Sequence, residues 1–177
     1  MGSTATTTTP LALPALQTSP RPKFIFFTDF DGTITQQDSN DFLTDNLGFG
    51  PVLRKKGNQD ALFERRPFRD TFQEMMDSVR TPLDQCIATL LANIELDAGF
   101  REFYRWARRN NIPVVVLSGG MEPIIRALLV GFLGEEEAQG LRIVSNSVEP
   151  RREGGDVNEE AGWRIVFHDD RYGSLFF

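Results

Sequence analysis

The stretch Lys23-Phe24-Ile25-Phe26-Phe27-Thr28-Asp29-Phe30-Asp31-Gly32-Thr33 decides the fold. The apolar residues Phe24 to Phe27 show no polar alternation, which predicts a central parallel strand buried on both faces. Asp29, Asp31 and Gly32 then break the run at a sharp turn. In open α/β sheets this carboxyl edge is where ligands bind. Two carboxylates one residue apart, beside a glycine turn with free backbone N–H groups, suit magnesium and an oxyanion better than a structural ion pair. A second run, Ile112-Pro113-Val114-Val115-Val116-Leu117, is rich in β-branched residues and ends in Ser118-Gly119-Gly120, so it predicts another strand followed by a tight turn.

Between these runs the chain reads mostly as helix. Thr81, Pro82 and Asp84 predict an N-cap, a first helical position and an acidic first turn, followed by Cys86, Ile87, Leu90, Leu91 and Ile94 at helical spacing. Phe68, Phe72, Met75, Met76 and Val79 form a similar stripe, assigned to the core. Phe100, Phe103, Tyr104 and Ala107 form a third, with Arg101, Arg105, Arg108 and Arg109 as its solvated face. A helix from about Pro123 carries Ile124, Ile125, Leu128, Leu129 and Phe132 up to Gly134. Leu141 to Val148 and Trp163 to Phe167 then read as a hairpin. Strand, helical insertion, strand, helix, strand is an α/β pattern.

The chain has 177 residues, 40% of them hydrophobic, which suits one domain with a substantial core. Nineteen basic and 25 acidic side chains give a net charge of -6, the wrong sign for collecting nucleic acid. No apolar run is long enough to cross a membrane. Cys86 is the sole cysteine, so one chain cannot build a disulfide framework, and a reducing, cytoplasmic setting is expected. Residues 1–22 hold a threonine run and four prolines without an acidic residue, and are expected to be a disordered tail. Met1 to Thr6 fits a loose myristoylation pattern that lacks supporting basic residues, and the segment is too poor in arginine for a mitochondrial presequence.

Phe26-Phe27-Thr28-Asp29-Phe30-Asp31-Gly32-Thr33-Ile34-Thr35 resembles the first motif of the haloacid dehalogenase superfamily, and Val115-Val116-Leu117-Ser118-Gly119-Gly120 resembles the second. The helical insertion is similar to the cap of the phosphoserine phosphatase-like branch. Within that branch, Asp29 to Thr35 and Ser118 to Met121 resemble the 2-hydroxy-3-keto-5-methylthiopentenyl-1-phosphate phosphatases and their fungal relatives. The resemblance runs from about residue 23 to 172. It implies a Rossmann-like core of residues 23–37 and 109–177 with a parallel sheet, and a helical cap of residues 38–108 inserted after the first strand.

By the same resemblance, the protein is a magnesium-dependent phosphomonoester hydrolase acting on a small phosphorylated metabolite through a phospho-aspartate. Asp29 is the implied nucleophile and Asp31 the acid and base. Mg2+ is held by the Asp29 side chain and the Asp31 backbone carbonyl, and Ser118 and the Gly119 amide bind phosphate. An aspartate at position 31 favours phosphate ester hydrolysis over dehalogenation, because an oxygen leaving group needs a proton. Asp38 stands where phosphoserine phosphatases carry a glutamate, and Glu74-Met75 near their carboxylate-binding arginine, which argues against phosphoserine. Asp38 and Arg69 are candidate substrate contacts from the cap. Arg65 and Arg66 are alternatives, and a solvated surface role is open to all three arginines.

Two parts of the family pattern are missing: the lysine that steadies the phospho-aspartate and the terminal acidic metal motif. The only lysines are Lys23, Lys55 and Lys56. The core therefore reads as incomplete at the C-terminus, which would leave Lys23 to Phe30 as an exposed, phenylalanine-rich edge, and a catalytically impaired remnant or regulatory binding module is the competing expectation. Asp169-Asp170, after Ile165-Val166-Phe167, is a second candidate for the acidic pair, while His168 reads as an ordinary hairpin residue.

Overall fold

The computed structural model describes residues 22–169. Expectations placed on residues 1–21 and 170–177, including the tail and Asp170, lie outside them. The elements follow in the order β1 (Phe26–Thr28), α1 (Ser39–Leu47), α2 (Pro51–Leu62), α3 (Phe68–Ser78), α4 (Leu83–Asn93), α5 (Phe100–Arg109), β2 (Val114–Met121), α6 (Glu122–Leu133), α7 (Glu135–Gln139), β3 (Arg142–Pro150) and β4 (Trp163–Val166). The fold is α/β, as expected, with one sheet ordered β1-β2-β3-β4. Phe26 pairs with Val114, and Val116 with Ile143, in parallel. β4 returns antiparallel, with Val148 opposite Ile165, which makes the expected hairpin.

The first strand departs from its reading. Phe24 and Phe27 are 54% and 62% exposed, and β1 has only β2 as a neighbour among the described residues. Read alone, its apolar run predicts burial on both faces; the expectation of an exposed edge beside the missing terminal strand is the one that holds, and one side of the strand and part of its face meet solvent. Phe26 packs edge-on against Phe103 of α5, with ring centroids 5.2 Å apart, and against Trp106 at 6.4 Å. Burial begins at Phe30 and Ile34, both fully enclosed.

The second strand also differs. Ser118-Gly119-Gly120 makes no tight turn: β2 runs through it to Met121, with its register against β3 shifting between Leu117 and Met121. Small residues allow such an irregularity to bend a strand without ending it. The helix at Leu83 begins with Pro82 as its cap, not Thr81. Proline has no acceptor side chain, and the Asp84 N–H donates instead to Asn158 Oδ1 at 3.0 Å. Thr81 uses its carbonyl to accept Trp163 Nε1 at 2.9 Å, tying this corner to β4.

The core joins α3, α4, α5 and α6 to the sheet through Phe72, Met76, Leu90, Tyr104, Val116, Leu128 and Trp163. α4 lies close on α6, where a Cβ at Gly131 would stand 2.4 Å from Leu91 Cδ2. Phe68 leaves the core stripe assigned to it, since at the start of α3 it is 62% exposed. Arg101 donates to the Phe132 carbonyl, and Arg105 pairs with Glu137 at 2.8 Å, so this arginine face is partly tied to α6 and α7. No helix among the described residues is long and apolar enough to cross a membrane.

Candidate active site

The turn after β1 is built around Phe30. Its carbonyl accepts the N–H groups of Thr33, Ile34 and Thr35 at 3.2, 2.8 and 3.1 Å. Such a tight reversal needs a left-handed residue, and Gly32 supplies it with φ of 71°. With Phe30 and Ile34 sunk in the core, the flanking Asp29 and Asp31 are carried to the same cavity. Asp29 Oδ1 accepts the Phe30 N–H at 2.7 Å, which leaves Oδ2 without a hydrogen bond among the described residues.

Asp31 is held at both oxygens by the start of α1. Oδ1 accepts the Ser39 N–H and Oδ2 accepts Asn40 Nδ2, each at 2.8 Å. Asp38 caps the same helix by accepting the Asp41 N–H at 2.8 Å. Burial pushes the Asp31 carboxyl up to about 6, reinforced by the charges of Asp38 and Asp29 and opposed by the Ser39 hydrogen bond. A carboxyl in that range can carry a proton to a leaving oxygen and take one back from water.

The second strand supplies the opposite wall. Ser118 Oγ accepts the Gly120 N–H at 3.0 Å. Asn146 Nδ2 donates to the Gly119 carbonyl at 2.7 Å, and its Oδ1 accepts the His168 N–H, so β3 fixes the irregular segment of β2. A Cβ at Gly120 would lie 3.3 Å from Ser118 Oγ and Ile125 Cδ1 and 3.5 Å from Asn40 Nδ2. Position 120 therefore joins the Ser118 wall to the group that holds Asp31.

Asp29, Asp31, Asp38, Ser118 and Gly119, all singled out from the sequence, line one cavity of about 470 Å³. Arg69 does not line it; its guanidinium lies 4.3 Å above the Phe167 ring. Arg65 pairs with Asp60 and Arg66 with Glu74, outside the cavity. Asp169 does not line it either. The remaining wall comes from residues not anticipated as site residues: Asn40, Asp41, Asn58, Leu62, Phe68 and Met75 among them. Asn40 directly follows the helix start at Asp38-Ser39, which was the available signal; Asn146 is a buried amide between Ser145 and Ser147 of β3 and carries no such signal.

Among the described residues, no lysine or arginine lines the cavity, and no group of three or more acidic, histidine or cysteine side chains is arranged to hold a metal. The donors that are present fit magnesium nonetheless. The Asp29 carboxylate and the Asp31 backbone carbonyl are hard oxygens, and this ion is commonly held by one or two carboxylates, substrate phosphate and water.

The sequence profile described as haloacid dehalogenase-like hydrolase matches residues 26–165. The chain is 46% identical over 146 residues to Pdp3-interacting factor 1 of Schizosaccharomyces pombe, covering 82% of this chain and 61% of that protein. It is 43% identical over 148 residues to the polyol phosphate phosphatase PYP1 of Saccharomyces cerevisiae, covering 84% and 58%. The chain thus spans about three fifths of the length of these curated relatives. A solved structure titled as a phospho-aspartyl intermediate analogue of phosphoserine phosphatase superposes with a TM-score of 0.57 at 16% identity, covering 81% of this chain and 64% of that one, and it shares the fold. Profile, relatives and fold agree: the chain belongs to the haloacid dehalogenase-like hydrolase family.

Proposed function

We propose that this protein is a magnesium-dependent phosphomonoester hydrolase acting on a small phosphorylated metabolite. The observation that carries the reading is the convergence of Asp29, Asp31, Ser118 and Gly119 on one cavity at the carboxyl ends of adjacent parallel strands. The kinship with a polyol phosphate phosphatase supports a hydroxylated leaving group. A cap formed by residues 38–108 belongs to the same proposal, with α1, α2 and α3 supplying the wall that faces the nucleophile.

Asp29 Oδ2 attacks phosphorus while the bond to the leaving oxygen breaks, and Asp31 gives that oxygen its proton. The Ser118 hydroxyl and Gly119 amide hold phosphate oxygens. Asp31, now a carboxylate, takes a proton from water as the water attacks the phosphorus, and Asp29 is released with inorganic phosphate. Ser39 N–H and Asn40 Nδ2 keep Asp31 in place through both half-reactions. The Asp29 carboxylate and the Asp31 carbonyl would hold magnesium, which when bound would supply positive charge against the phosphoryl oxygens.

A second reading, a phosphate-binding module with little turnover, is favoured by one observation: among the described residues, the cavity wall carries no cation to assist the transferring group. Loss of one such charge-stabilising group costs about a hundred- to a thousandfold in rate. Hydrolysis of p-nitrophenyl phosphate, with magnesium and with chelator, separates the readings. Chelator-sensitive turnover supports the hydrolase. Orthophosphate binding without turnover supports the module, and the absence of both rejects the phosphate site.

A further inference from the structure

We propose that Asp41, fixed in place by Arg54, selects leaving groups that end in hydroxyls over those that end in a carboxylate. The inference rests on the phosphatase reading and adds the chemistry of the cavity wall supplied by α1 and α2.

Arg54 projects from α2 with its side chain 11% exposed. Nε and Nη2 donate to the two oxygens of Asp45 at 2.6 and 2.8 Å, and Nη1 donates to Asp41 Oδ2 at 2.5 Å. A planar guanidinium closed in this way on one carboxylate has little freedom left, so it sets the position of the second. α2 buries none of its residues, which makes this fork its principal polar tie to α1. Asp41 Oδ1 has no hydrogen-bond partner among the described residues, and Asp41 lines the cavity.

Asp38 and Asn58 line the cavity with Asp41. Asp38 uses one oxygen to cap α1, and the Asn58 amide makes no hydrogen bond among the described residues. Arg54 is shared between two carboxylates, so Arg54, Asp41 and Asp45 together stay negative. A substrate carboxylate directed at this wall meets like charge and, among the described residues, no lining cation. A substrate hydroxyl can donate to Asp41 Oδ1, and Asn58 offers both a donor and an acceptor. Discrimination here comes from repulsion as much as attraction.

Glycerol 3-phosphate and 3-phosphoglycerate test this, because they share the phosphate and differ mainly in a hydroxymethyl or carboxylate end. Calorimetry on the full 177-residue chain with magnesium, in an Asp31→Asn background that slows turnover but keeps both magnesium donors, gives the affinity of each and of orthophosphate. Glycerol 3-phosphate is expected to bind at least about tenfold tighter. Asp41→Asn should bring the two within about threefold while orthophosphate changes less than about twofold. Arg54→Lys, which keeps the charge and loses the fork, should reduce the ratio part-way. Asn58→Asp, at a solvent-accessible position of the cavity wall, should widen it, and decides the matter if Asp41→Asn fails to fold. Orthophosphate binding without an end-group preference overturns the proposal alone, as does a ratio indifferent to these variants. Failure to bind orthophosphate overturns the phosphatase reading and this proposal together.

Discussion

Asn40 donates from Nδ2 to Asp31 Oδ2 at 2.8 Å, so an amide at the start of α1 orients a carboxyl on the turn after β1. Together with the Ser39 N–H on Oδ1, it occupies both oxygens of Asp31. This tie makes the general acid depend on the first turn of the inserted helices. Asn40→Ala should lower kcat about tenfold to a hundredfold, the range expected for a lost hydrogen bond to an ionisable group, with KM for p-nitrophenyl phosphate nearly unchanged. Steady-state kinetics over a range of substrate concentrations checks the split.

The raised Asp31 pKa has a consequence for stability in metal-free protein. The carboxyl titrates near 6 when folded, against 3.8 for the unconstrained group. Its contribution to stability is fully present below the unfolded value and is lost as pH rises through 6. Wild type should therefore lose stability relative to Asp31→Asn by about 2 kcal/mol between pH 4 and pH 6 in chelator. Urea unfolding of both proteins at stepped pH measures the difference, and a flat difference would show that burial does not hold the proton.

Gly120 couples the two walls. A methyl group there would stand 3.3 Å from Ser118 Oγ and from Ile125 Cδ1, tight enough to push either group by a few tenths of an ångström, and would touch Asn40 Nδ2 at an ordinary 3.5 Å. Gly120→Ala should cut kcat by about tenfold while lowering stability by no more than about 1 kcal/mol, since displacements of this size harm positioning before they harm packing. Thermal unfolding beside initial-rate kinetics separates the two effects.

What was legible in the sequence was local. The spacing from Phe26 to Gly32 carries the turn that aims Asp29 and Asp31, and the run into Ser118-Gly119 carries the opposing wall, because both depend on residues adjacent in the chain. The exposure of Phe24 and Phe27 is not legible in the apolar run by itself, which reads as buried on both faces; it is legible only from the missing terminal motif, whose strand would lie beside β1. Arg69 turned to the Phe167 ring instead of the cavity because α3 packs against the segment after β4, a contact between distant parts of the chain. Asn58 and Asp41 escaped notice for a related reason: polar residues on helices look solvated until the fold faces them toward a cavity.

The exposed edge of β1 makes its own prediction. Phe24, Phe26 and Phe27 offer aromatic surface beside unpaired backbone groups, a template for strand pairing between copies. Phe27→Lys, at the most exposed of the three, should shift the protein toward monomer in sedimentation velocity with little change in thermal stability. Unchanged association would show that this edge does not drive it.

The central claim is that Asp29 takes the phosphoryl group. It is tested most directly by acid-quenching the protein during turnover of p-nitrophenyl phosphate with magnesium and mapping the peptides by mass spectrometry. The phosphoryl increment is expected on the peptide containing Asp29, and Asp29→Asn should lose both the increment and the hydrolysis. A phosphoryl group on another residue, or undiminished hydrolysis by Asp29→Asn, would contradict it.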